Sequence, residues 1–129
     1  MEEAIAQSDG HGMARTNGEA LLQLSNEMVR IYKDIFGRGP TRARADWAGP
    51  DSVVCTLEDT LTPAERRMAK LGEHQRLREV RMFFQHASED DFRASVERIT
   101  GRDVRAFVSG IDTDKDVSSE VFYFERGAG

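Results

Sequence analysis

The chain is 129 residues long, 39% hydrophobic and 32% charged, with a formal net charge of −5. That length suits one domain with a core of its own, since a chain of this size buries roughly two-thirds of its unfolded surface on folding. The acidic balance excludes broad, non-specific binding to nucleic acid or anionic lipid, both of which need a basic surface.

A lone cysteine, Cys55, excludes an intramolecular disulfide and every Cys-rich zinc pattern. It lies between Val54 and Thr56 in an apolar run and reads as a small buried hydrophobe, with no base nearby in sequence to activate it. No stretch approaches the roughly 18–20 apolar residues of a membrane span. The N-terminal MEEAIAQSDGHGMARTNG has no apolar core and is not a signal peptide. The expectation is a cytoplasmic chain without membrane insertion.

Residues 1–16 carry no hydrophobic period and read as a disordered tail, followed by one domain over 17–126. Asn17 is a plausible cap for a helix to about Phe36. Leu21, Leu24, Met28, Ile31 and Ile35 recur at helical spacing, and Leu22, Val29, Tyr32 and Phe36 widen the stripe. So broad a face is expected to be covered, by a sheet or by a second chain. Gly37 stands where a helix-ending glycine belongs.

Thr41–Trp47 and Ser52–Glu58 read as a hairpin across the turn Ala48-Gly49-Pro50-Asp51. Thr62-Pro63-Ala64-Glu65 has the form of a capping box with proline at the first helical position, opening a short helix to about Leu71. A helical pattern then covers 73–99, with Leu77, Val80, Phe84, Phe92, Val96 and Ile99 on a common face. Ser88-Glu89-Asp90-Asp91 offers a second start, but the stripe keeps its phase and favours one helix. Val104–Asp112 and Val117–Glu125 form a second hairpin. In it Val104, Ala106 and Val108 share a face. The last strand is apolar on both faces, so it is central in the sheet or meets a partner. The whole is α+β, in the order α-β-β-α-α-β-β: a four-stranded antiparallel sheet from two hairpins, with helices on one face.

Motifs with chemical content are sparse. Asp112, Asp114 and Asp116 open like a calcium loop, but Val117 replaces the glycine of the sixth position and Tyr123 the glutamate of the twelfth. The triplet reads as a solvated hairpin turn. Arg76, Arg78 and Arg81, interleaved with Glu73 and Glu79, read as a solvated helix face. His11, His74 and His86 lack metal-ligand spacing, and no nucleophile–base set is nominated. No metal, cofactor or catalytic residue is expected. The candidate surface for an anion or a partner is the loop Gly37–Arg44, where Arg38, Gly39, Thr41, Arg42 and Arg44 combine open backbone with guanidinium groups. A helix C-terminus repels anions, however, so these arginines also suit a structural role.

FGRGPTRARADW, VVCTLEDTLTPAERRMAK, VERITGRDVRAFVSGIDTDKD and EVFYFE together resemble the MpsC-like family, from about Gly18 to Glu125. Its most specific pieces are G-R-G-P-T at Gly37–Thr41 and L-T-P-A-E at Leu61–Glu65. The resemblance implies a small bacterial component of a sodium-translocating, membrane-potential-generating system. Because the chain lacks a span, it implies an accessory or regulator without enzyme activity, peripheral at the inner face of the membrane. The partners expected are an integral ion-transport protein and a second copy of the chain, since twofold dimers are the commonest soluble oligomers. A soluble sensor of a small anion at Gly37–Arg44 is the alternative.

Overall fold

In the computed structural model residues 17–127 are described, and the tail expected over 1–16 lies outside them. The elements follow the expected order: α1 (Asn17–Phe36), β1 (Arg42–Trp47), β2 (Ser52–Glu58), α2 (Pro63–Lys70), α3 (His74–Ala87), α4 (Glu89–Thr100), β3 (Val104–Asp112) and β4 (Val117–Phe124). The strands form one antiparallel sheet in the order β1-β2-β4-β3, so β4 is central, one of the two alternatives its two apolar faces left open.

Each strand alternates, and one face of the sheet gathers Ala45, Val53, Cys55, Leu57, Phe122 and Phe124. Leu24, Met28, Ile31 and Tyr32 of α1 close over that face, with Phe92, Val96 and Ile99 of α4. The centre of the α1 stripe is thus covered by the chain's own sheet and α4, while Leu22 at its edge stays 62% exposed. No described helix covers the other face, where Val108 is 55% exposed.

Local chemistry sets the element ends. Thr62 Oγ1 accepts from Glu65 N at 3.2 Å and Glu65 Oε1 accepts from Thr62 N at 2.8 Å, completing the capping box of α2. Gly37 ends α1 at φ +82°, where a side chain would be strained. Gly39 is required for a different reason: a Cβ there would stand 3.1 Å from Val29 Cγ1 and 3.3 Å from the Val29 carbonyl oxygen.

Two expectations are corrected. The pattern over 73–99 is two helices, broken at Ser88 (φ −102°, ψ 12°). Three acids, Glu89, Asp90 and Asp91, fill the first turn of α4, where the positive helix end favours them. This local preference outweighs a stripe that keeps its phase. The second correction is in β3, where the register shifts between Val104 and Ala106. The bulge lets Val104 point into the core while Val108 faces outward, so the two do not share a face.

Candidate functional site

The inner face of the sheet carries one acid. Glu120 sits in mid-β4, in register with Cys55 of β2 and Ser109 of β3, and is fully buried. Its Oε2 accepts from the Tyr32 hydroxyl and from Gln85 Nε2, the latter at 2.8 Å. Gln85 Nε2 also donates to the Tyr32 oxygen at 2.8 Å. Burial pushes the Glu120 carboxyl up to about 7, against the pull of Ser109, Tyr32, Gln85 and the Arg81 charge. Burial, reinforced by the Glu120 charge, raises the Tyr32 hydroxyl well above its ordinary value. Burial likewise pushes the Cys55 thiol up to about 12, which leaves it an inert hydrophobe. Glu120 Oε1, Gln85 Oε1 and the Ser109 and Ser118 hydroxyls are buried without a hydrogen bond of sound geometry.

A second layer joins this triad to the end of the sheet. Arg81 is fully buried, contrary to its expected place on a solvated face. Its Nε donates to Glu65 Oε2 at 2.8 Å, and its Nη2 to Glu65 Oε1 at 2.6 Å and the Thr60 carbonyl at 2.9 Å. The guanidinium carbon lies 3.7 Å from the centre of the Phe36 ring. Burial works to raise the Glu65 carboxyl, but the Arg81 fork and Thr62 outweigh it and hold it below the usual range. A planar, permanently charged group can meet acid, carbonyl and ring together, which lysine cannot.

The third layer bolts the β3–β4 turn to the β2–α2 loop. Asp116 is buried at φ +58°, and its carboxylate accepts from Thr60 N at 2.8 Å, Thr60 Oγ1 at 3.1 Å and Leu61 N at 3.1 Å. Only part of the acidic turn is therefore solvated. Asp112 closes it locally, accepting from the amides of Asp114 at 3.0 Å and Lys115 at 2.9 Å. His74 Nδ1 and Thr113 Oγ1, 2.7 Å apart, tie α3 to the same turn.

The candidate loop residues divide. Arg38 donates to the Leu61 carbonyl at 2.7 Å and lies 3.4 Å from Asp59. Asp59 is held below the usual carboxylate range by hydrogen bonds from Thr41 first, then Arg66 and Arg38. Arg38 and Thr41 thus converge on one aspartate, joining the G-R-G-P-T segment to the start of L-T-P-A-E. Arg42 and Arg44 stand apart on β1, with Arg44 3.1 Å from Asp46. Gly39 packs under Val29. A shallow groove of about 410 Å³ runs between α1 and β1, lined by Leu21, Val29, Pro40, Thr41, Ala43 and Arg44 among others. Of the five candidate residues, Thr41 and Arg44 line this groove.

Chemically, the corner is a closed network in which guanidinium groups meet carboxylates. Among the described residues, no group of His, Cys, Asp or Glu is placed to hold a metal ion. Tyr32, Arg81, Gln85 and Glu120 were missed as a buried set. The signal was present: Glu120 has the parity of Phe122 and Phe124, and Arg81 and Gln85 continue the Leu77 row at i+4 and i+8.

Residues 16–126 match the model of the family described as "Na+-translocating membrane potential-generating system (MpsC)", and the chain belongs to that family. No curated protein and no solved structure matches it.

Proposed function

We propose that this MpsC-family chain is an accessory or regulatory component of a sodium-translocating, membrane-potential-generating system, acting through protein contacts without catalysis of its own. One observation carries the reading. The family description names a process across a membrane, while no described helix is long and apolar enough to cross one. The ion path then falls to an integral partner, and this chain docks on it from the inner face of the membrane. The interior agrees with such a role. Glu120, Tyr32 and Cys55 are sealed from solvent, and Arg38 and Arg81 are occupied by carboxylates of the chain itself.

The test is crosslinked affinity purification of the tagged protein from its native host, membranes included, read by mass spectrometry. Specific enrichment of an integral ion-transport protein is expected. A crosslinked fraction without any integral membrane protein would overturn the reading.

A further inference from the structure

The sheet has two outer edges, β1 and β3, and they differ. The β3 edge is blunted. Its register shifts between Val104 and Ala106, and α4 takes up the Val104 backbone: Glu97 Oε2 accepts from the Val104 N–H at 2.8 Å, and Arg93 Nη1 donates to its carbonyl at 3.0 Å. Bulges and occupied backbone groups are how sheets avoid pairing with a neighbour. β1 carries no such protection. It pairs with β2 in one unbroken register over all six residues and contains neither proline nor lysine. Ala48 N donates to the Ser52 carbonyl at 3.0 Å, so the antiparallel alternation turns the backbone groups of Arg44 and Asp46 toward β2 as well. The N–H and C=O groups of Ala43, Ala45 and Trp47 then point off the free edge, where no described strand meets them.

Helix α1 overhangs the same edge. Leu22, exposed at the rim of its stripe, lines the groove between α1 and β1 together with Val29, Thr41 and Ala43. An added strand therefore gains backbone partners and an apolar roof at once.

The side chains of β1 select the strand that fits. Arg44 and Asp46 are exposed on the open face of the sheet, alternating with the inward Ala43, Ala45 and Trp47. Set antiparallel to a second β1 with Ala45 opposite Ala45, each Arg44 faces Asp46 of the other copy. The Arg44–Asp46 pair within the strand, at 3.1 Å, is kept. The four side chains then form a square in which every neighbour, along or across the strands, has the opposite charge. On the inward side, small Ala43 meets large Trp47. Registers centred on Arg44 or Asp46 would put like charges face to face, which is destabilising. A single twofold register thus satisfies backbone, charge and side-chain size together.

We propose that β1 is the dimer interface of this protein, pairing antiparallel with β1 of a second copy about a twofold axis at Ala45. The two sheets become one continuous sheet, with the two α1 helices side by side over the seam. The pairing does not depend on the accessory role, and a monomer would overturn the pairing alone.

The experiment is sedimentation equilibrium of the full chain and four variants, with circular dichroism to verify folding. Wild type is expected to reach twice its 14.5 kDa monomer mass. Ala43→Pro removes an N–H that faces away from β2, a position where an edge strand tolerates proline. The twofold deletes that donor twice, so association is expected to weaken about tenfold or more. Arg44→Asp and Asp46→Arg, on solvent-facing side chains, are each expected to weaken it about tenfold. The double swap Arg44→Asp/Asp46→Arg is expected to restore the dimer. A folded Ala43→Pro that dimerises like wild type overturns the proposal, as does a double swap as weak as its single variants. If Ala43→Pro does not fold, the charge variants decide alone. A wild-type monomer up to the solubility limit also overturns the proposal and would leave the edge to an extended segment of another protein.

Discussion

Glu120 makes the stability of this protein fall as the solution passes through neutrality. The carboxyl is fully buried and its pKa rises from 4.5 to about 7 on folding. The folded state therefore holds a proton that the unfolded chain has already released. Its contribution is complete below the unfolded value and is lost as pH rises through the folded one. Linkage between those two values makes the loss about 2.5 kcal/mol between pH 5 and pH 8. The acids held below their ordinary range, Glu27, Asp59, Glu65 and Asp112, act in the opposite sense and only at lower pH. Glu120→Gln removes the ionisation and keeps an oxygen to accept from Tyr32 and Gln85. Urea denaturation of both proteins at pH 5, 6, 7 and 8 isolates the effect as a difference. Wild type should lose stability steadily relative to Glu120→Gln across that range. Parallel stability curves for the two proteins would refute the reasoning.

Other outcomes follow from the same network. Arg81→Ala leaves the half-buried Glu65 carboxylate without its fork and the Phe36 ring without its cation; denaturant unfolding should show a loss of about 3 kcal/mol or more. Arg81→Lys, unable to form the fork, should recover only part of that loss. Asp116→Ala strands two amides and a hydroxyl at the β2–α2 loop, and should lower stability by about 2–3 kcal/mol in the same assay. Thr62→Ala removes the α2 cap and should lower it by about 1 kcal/mol.

The sequence was most informative where a local rule acts alone. The capping box at Thr62–Glu65, the glycine stop at Gly37 and the two hairpins are short-range features, and the fold follows them closely. Centrality of β4 was also legible, because residues of both parities are apolar there. Features set by three-dimensional neighbours were harder to see. Arg81 looks like any exposed arginine until Glu65, Thr60 and Phe36 converge on it from other elements. The reverse holds for Val80 and Phe84, which belong to an apolar stripe in sequence yet lie on the open flank of α3. The bulge at the start of β3 inverted the expected facing of Val108, since one extra residue changes the parity of a strand. For the Gly37–Arg44 loop, residue types alone suggested an anion cradle. In the structure Asp59 pairs with Arg38 and Asp46 with Arg44, so two of its three arginines already meet carboxylates of the chain.

The central claim, that an integral partner carries the ions and this chain serves it, is tested most directly in membrane vesicles from its native host. Vesicles from cells lacking the chain should lose their sodium-dependent membrane potential, read with a voltage-sensitive dye, and regain it when the purified protein is added back. A sodium-dependent potential that persists undiminished without the chain would contradict the claim.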